Sequence, residues 1–315
     1  MRTILSVWLL ATLVVSLSHY HAASAQDAGK QSESQQIGTP LSDQQLAAIA
    51  AAAPQTPTAQ PKSARRALCF CRCNGFVHSS ISSGNAALQA IGQRTEAFTV
   101  DVTEDYKVFT PENLERYDCI ILNNTTNMEF PEASQLNAFM DFVASGKGLV
   151  GIHAASDNFG RHPEARDIIG GEFGGHPWNA GGTWAFKLDD PQHPLNAAFG
   201  GRGFWHKDEI YQYKPSTFVG NDVLRILVSL DMDQATVSER IDDGPREVPV
   251  SWVRRAGEGR VFYTNFGHNE STFANPTILQ HLLDGIQYAM GDLEVDDTPT
   301  SQVNPAPPAS APAQP

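Results

Sequence analysis

Between residues 66 and 153 the chain alternates short, nearly unbroken apolar runs with amphipathic segments of helical period, and this order restricts the fold more than any other feature. Residues 67–73 form the first apolar run. Residues 80–91 follow as a helix with Ser79 or Ser80 as its N-cap. Residues 96–102 and 119–122 read as the second and third strands. The third is bounded by Asn123-Asn124-Thr125-Thr126, which contains glycan sequons relevant in a eukaryotic host. Residues 132–144 place Ala133, Leu136, Phe139, Met140 and Val143 on one helical face, and Ser145-Gly146 ends that helix. Residues 148–153 are the next strand. Uninterrupted apolar strands suit a parallel sheet buried on both faces, and the βαβ order implies a doubly wound α/β arrangement.

The second half changes character. Residues 183–188, 209–213, 224–230, 249–254 and 260–265 read as strands, with Gly257-Glu258-Gly259 as a hairpin turn. A last helix over 275–290 carries Pro276 in its first turn. The expectation is a parallel core with added antiparallel strands, folded over residues 65–291. Residues 26–64, rich in Gln, Ser, Ala, Thr and Pro, read as a disordered linker with a short helix at 44–53. Residues 292–315 are acidic and then Pro-, Ala- and Ser-rich, so a mobile, extended tail is expected.

Residues 1–25 have the pattern of a signal peptide. Arg2 precedes an apolar stretch from Ile4 to Leu17, and Ala23-Ser24-Ala25 is an A-x-A cleavage site. That stretch is short for a membrane span. Once the signal is removed no integral membrane segment is expected, and the mature protein is placed in a periplasm or outside the cell. The net charge is −13, and Lys and Arg never cluster beyond the pairs Arg65-Arg66 and Arg254-Arg255. A phosphate-tracking surface needs a basic stripe, so nucleic acid is not an expected partner, nor is an anionic membrane surface. The sequence leaves the oligomeric state open.

Cys69, Cys71 and Cys73 alternate along the first run and share one face, which disfavours pairing among them. They read, with Cys119, as small buried hydrophobes. Whether Cys119 bridges to one of them stays open. The Cys-x-Cys-x-Cys spacing matches no common structural zinc site.

In an open parallel sheet, ligands gather at the carboxyl ends of the strands. His78 follows the first strand, and His153 ends the strand containing Leu149-Val150-Gly151-Ile152. His176 sits in Gly-Gly-Glu-Phe-Gly-Gly-His-Pro-Trp, Glu209 in Lys-Asp-Glu-Ile-Tyr, and His268 after the final hairpin strand. Imidazoles titrate near neutrality, and a carboxylate such as Glu209 or Asp157 orients them. His153, His268 and Glu209 are therefore the catalytic candidates. His78, His176, Asp157, Trp178 and Tyr211 are the substrate-binding candidates, with Trp178, Trp205 and Tyr211 as a platform for sugar rings. The set His78, His153, His176 and His268 would alternatively hold a divalent metal such as zinc, assembled from separate loops. Lys207 and Asp208 read as a solvated strand end. Gly170-Gly171 and Gly174-Gly175 fit neither the Walker spacing nor the dinucleotide fingerprint.

Several segments resemble the ThuA-like (trehalose utilisation) family. They are Asn74-Gly75-Phe76-Val77-His78; Tyr117 to Leu122; Gly146 through His153 to Ala155; Gly170-Gly171-Glu172-Phe173 through His176-Pro177; Asp208-Glu209-Ile210-Tyr211; and Pro249-Val250-Ser251-Trp252 through Gly259-Arg260 to Gly267-His268. The resemblance implies a three-layer, flavodoxin-like fold related to the class I glutamine amidotransferases. In those enzymes a strand-to-helix elbow presents a nucleophilic cysteine. The matching position here is His153, followed by Ala154 and Ala155, so Cys-dependent amidotransferase chemistry is not expected. Ser156 lacks a Gly-x-Ser-x-Gly context. The resemblance implies a carbohydrate or keto-sugar derivative as substrate. A non-catalytic sugar-binding or interaction module is the alternative.

Overall fold

The computed structural model describes residues 38–242 and 246–314. The signal segment expected at 1–25, and the first part of the expected linker, lie outside the described residues. The strands are β1 (Arg66–Phe70), β2 (Thr99–Thr103), β3 (Cys119–Asn123), β4 (Gly148–Ile152), β5 (Phe173–Trp178), β6 (Thr183–Leu188), β7 (Phe204–Lys207), β8 (Ile210–Tyr213), β9 (Arg225–Leu230), β10 (Pro249–Ala256) and β11 (Gly259–Thr264). The α-helices are α1 (Asp43–Ala52), α2 (Ile81–Thr95), α3 (Pro111–Leu114), α4 (Ala133–Ala144), α5 (Pro163–Ile169), α6 (Ala235–Ser238) and α7 (Pro276–Ala289).

Nine strands form one sheet in the order β2-β1-β3-β4-β11-β10-β9-β6-β7. The first five in that order pair in parallel, and the remaining pairings are antiparallel. The parallel part has the 2-1-3-4-5 order of flavodoxin-like sheets. A separate pair, β5 with β8, lies outside it. Strand periodicity splits the core in two. Cys69, Cys119, Ile121, Val150, Ile152 and Phe262 face one way, packing with Leu88 and Ile91 of α2 and Leu279 and Leu283 of α7. Leu68, Phe70, Ile120, Leu122, Leu149 and Val261 face the other, against Leu136, Phe139 and Val143 of α4 and Ile169 of α5. The result is the expected three-layer α/β sandwich.

β1 is shorter than the sequence implies. It pairs with β2 only as far as Phe70 with Thr103, and the chain then leaves the ladder. Cys71 and Cys73 therefore lie beyond the strand. All four cysteines are buried thiols: Cys69 Sγ contacts Asn85 Oδ1 at 3.3 Å and Cys73 Sγ contacts the Asn124 carbonyl at 3.2 Å. Burial pushes them up, Cys71 to about 12, so they are poor nucleophiles.

The short helix expected at 44–53 is present as α1, and the described flanks make specific contacts with the domain. In the described part of the supposed linker, α1 carries a Ser42/Gln45 capping box and buries Ile49. The segment after α1 runs along α7. Gln287 Oε1 accepts from the Thr58 and Ala59 amides at 2.8 and 3.1 Å, and Arg65 grips Asp292 at 2.7–3.1 Å. The C-terminal tail is extended but held. Ala309 forms an antiparallel bridge with Leu188, the Ala311 amide donates to Asp231 Oδ2 at 2.9 Å, and Trp205 Nε1 donates to the Pro312 carbonyl at 2.8 Å. Proline removes amide donors but keeps its carbonyls, so an extended Pro-rich chain still binds through them. Trp205, expected as a sugar platform, is spent on this contact.

Ending the chain at Val303 should remove these contacts. At about 1 kcal/mol net for each hydrogen bond, offset by regained chain entropy, a loss of about 2 kcal/mol and a Tm lower by roughly 4–8 °C is expected. An unchanged calorimetric Tm would show that the tail adds nothing to stability.

Candidate functional site

His153 stands where β4 turns into a short 3-10 helix, with φ of 48°. A non-glycine residue in the left-handed region costs about 1 kcal/mol or more and persists only where its surroundings impose it. Here they do. The Tyr263 hydroxyl donates to the His153 carbonyl at 2.7 Å, and the Asn265 carbonyl meets His153 Nδ1 at 2.7 Å. Gly151 makes room for the Tyr263 ring, since a Cβ there would lie 2.9 Å from Tyr263 Cδ2. The His153 side chain is fully buried. A carbonyl only accepts, so His153 Nδ1 carries the proton and Nε2 presents its lone pair to the site.

Four further stretches of chain converge around it. His268, after β11, has Nδ1 3.3 Å from His153 Nε2 and 3.1 Å from Glu209 Oε1. Glu209 precedes β8 and has Oε1 3.7 Å from His153 Nε2. His176, on β5, approaches the other oxygen, Oε2, at 3.4 Å. His78, on the loop between β1 and α2, stands edge-on to both His153 and His268, with ring centroids 5.0 and 5.1 Å away. Tyr211 packs its ring 4.3 Å from that of His153. The structure thus brings together His78, His153, His176, His268, Glu209 and Tyr211 from five separate stretches of chain.

The charges are coupled. Burial alone would raise Glu209, but hydrogen bonding and charge from the adjacent imidazoles, with His268 Nδ1 at 3.1 Å, outweigh it and hold the carboxyl well below its usual range. Burial would lower His268, yet the Glu209 carboxylate lifts it above an ordinary histidine. Burial, reinforced by His153 and His268, pushes His78 far down, so it is neutral. Its Nδ1 is buried without a hydrogen-bond partner.

One expected site residue, Trp178, stands apart. Trp178 is wholly buried in the core and donates Nε1 to the Val237 carbonyl at 2.9 Å, leaving no face for a ligand. Asp157 lies beyond the elbow, where burial pushes it up to about 6, and its charge still reaches the Tyr211 hydroxyl. The sequons are also closed to glycosylation in the folded chain, because Asn123 and Asn124 are fully buried. They serve the site instead. Asn124 Nδ2 donates to the Gly267 carbonyl at 3.3 Å, and Ser80 Oγ donates to the same carbonyl at 2.7 Å. Ser80 is the N-cap of α2 by position, but its hydroxyl is used there rather than on the helix.

Asp208, expected at a solvated strand end, is fully buried. Its carboxylate accepts from the amides of Gly267, Asn269 and Glu209 at 2.7, 2.8 and 3.0 Å, and from Thr272 Oγ1 at 2.9 Å. It therefore ties the His268 loop to the residue carrying the Glu209 side chain. Phe76 was also missed as a site residue. It is 65% exposed and packs edge-on against His78 at 4.8 Å, on a loop fixed by the Asn74 amide to the Thr126 carbonyl.

A family model described as trehalose utilisation, ThuA, matches residues 66–289. The chain belongs to the ThuA family. Among solved structures it is similar to a ThuA-like protein of Bacteroides uniformis, at 22% identity and a TM-score of 0.59, covering 74% of this chain and 94% of that one. It is likewise similar to a ThuA-like protein of Parabacteroides merdae, at 21% identity and a TM-score of 0.57, covering 76% and 96%. These likenesses show the fold. No curated protein matches the sequence at a significant level.

Asp208→Asn should cost about 3 kcal/mol, because the amide nitrogen faces backbone donors and leaves them unpaired in the interior. For a chain of this size that corresponds to a Tm roughly 6–12 °C lower in thermal unfolding. A loss near zero would mean that the carboxylate does not hold the two loops together.

Proposed function

We propose that this ThuA-family chain is an exported enzyme that moves protons on a carbohydrate or keto-sugar derivative. The observation that carries the reading is the placement of Glu209 between imidazoles, with His153 held at a strained elbow. His153 Nε2 is the general base, since its other nitrogen is tied to the Asn265 carbonyl. His268, kept protonated by Glu209, is the general acid. Such a pair takes a proton from a carbon next to a carbonyl, or from a hydroxyl, and returns one to a neighbouring oxygen or carbon. Positioned acid–base groups of this kind contribute roughly 10²–10⁴-fold. His176 orients Glu209 from its second oxygen, and Tyr211 backs the His153 ring. Phe76 replaces the buried Trp178 as the aromatic face for a sugar ring. The substrate class rests on the family description. The same donors also suit a divalent metal such as zinc. Export rests on the sequence of residues 1–25.

A panel of disaccharides and 3-keto-glycosides, with products read by mass, tests the activity. Turnover should fall at least about 100-fold in His153→Ala and Glu209→Gln. Phe76→Ala should raise KM by roughly tenfold while kcat changes little, as expected for a lost stacking contact of about 1 kcal/mol or slightly more. Saturable sugar binding without turnover would replace the enzyme by a sugar-binding module.

Export is checked separately. N-terminal sequencing of protein secreted or released from the periplasm should begin at Gln26. A chain that stays in the cytoplasm with residues 1–25 intact would end that part of the proposal.

A further inference from the structure

The three closest donor atoms of the cluster form a nearly equilateral triangle. His153 Nε2 to His268 Nδ1 is 3.3 Å, His268 Nδ1 to Glu209 Oε1 is 3.1 Å, and Glu209 Oε1 to His153 Nε2 is 3.7 Å. An ion with bonds of about 2.0–2.1 Å to tetrahedral ligands places those ligands roughly 3.3 Å apart. The triangle therefore has the dimensions of one face of such a coordination shell. We infer that His153 Nε2, His268 Nδ1 and Glu209 Oε1 form a three-donor centre for a divalent first-row ion of the zinc type. It uses the same atoms as the acid–base reading, with the ion taking the lone pair of His153 Nε2 and replacing the proton on His268 Nδ1, so it is an alternative to that reading, and it does not depend on the substrate being a sugar.

The surroundings fit. The Asn265 carbonyl holds the proton of His153 on Nδ1, which leaves Nε2 free to donate its lone pair. A backbone carbonyl behind a metal-binding histidine is the usual outer partner. His176 occupies the far oxygen of Glu209 and so turns Oε1 toward the two imidazoles. His78 offers a further nitrogen within 4.8 Å of the His153 and His268 donors, and its buried Nδ1 lacks a protein partner. It stands ready as a fourth ligand or as a contact to a molecule on the open side. Two imidazoles with one carboxylate favour zinc, cobalt or iron over calcium and magnesium, which prefer all-oxygen shells.

The test uses the full mature chain, stripped with chelator and titrated with Co²⁺ alone. Visible d–d absorption reports coordination, calorimetry reports stoichiometry, and Zn²⁺ serves as competitor. One equivalent per chain is expected, displaced by Zn²⁺. Affinity should fall at least about 100-fold in Glu209→Gln, His153→Ala and His268→Ala. His162→Ala is the control. That half-exposed histidine lies 3.9 Å from Glu129 and 3.5 Å from Glu164, outside the cluster, and its loss should leave binding unchanged. Glu209→Gln is nearly isosteric, and circular dichroism of each variant separates a lost ligand from a lost fold. No stoichiometric binding, or binding undiminished in folded Glu209→Gln, overturns the inference. Sugar turnover by metal-free protein that binds no Co²⁺ overturns it while leaving the acid–base proposal standing. Stoichiometric binding without sugar turnover does the reverse.

Discussion

The carboxylate of Asp208 is the contact on which the site depends. It is buried, and a buried carboxylate is costly unless its lone pairs are filled. Four donors fill them, and three are backbone amides from two distant parts of the chain. Charge-assisted hydrogen bonds of this kind are strong and directional. Through them the short connection between β7 and β8, belonging to the added antiparallel half, is joined to the loop after β11, belonging to the parallel half. Glu209 is then delivered to His268 by its immediate neighbour in sequence.

The parallel sheet supplies the second condition. Its strands end together, and the loops after β1, β4 and β11 bring His78, His153 and His268 to one edge. Between β4 and the following 3-10 helix the chain must turn sharply, which gives His153 its left-handed backbone. Tyr263 and Asn265 hold that turn from the adjacent strand and the residues just after it. Strain at one residue is thereby offset by hydrogen bonds from a rigid neighbour.

The described flanking segments, residues 38–65 and 292–314, pack against the domain. Asp292, just past α7, receives the Arg65 guanidinium, and the segment between α1 and β1 follows α7. The far tail completes the region around β6 and β9: Ala309 bridges to Leu188, the Ala311 amide donates to Asp231, and Thr300 Oγ1 accepts from the Ile226 amide. Apart from the Arg65–Asp292 pair, each of these contacts has a backbone atom on at least one side, and the sequence does not mark which backbone atoms are used.

The sequence by itself determined the layered α/β fold, the parallel core, the final helix and the set of histidines and Glu209. It could do so because apolar periodicity records which faces are buried, and strand ends in such sheets collect functional groups. It did not reveal β5 or β7: Phe-Gly-Gly-His-Pro-Trp carries turn residues, and Phe-Trp-His-Lys is too short to show a period. It misread Asp208, because a carboxylate that accepts backbone amides has the same letter as one in water. It took Trp178 for a ligand platform, though aromatic residues near a motif are as readily core. Which imidazoles touch, which nitrogen bears the proton, and that a buried aspartate locks two loops together were decided only in three dimensions. The reason is that hydrogen-bond geometry joins residues tens of positions apart, and no local pattern in the chain encodes those distances.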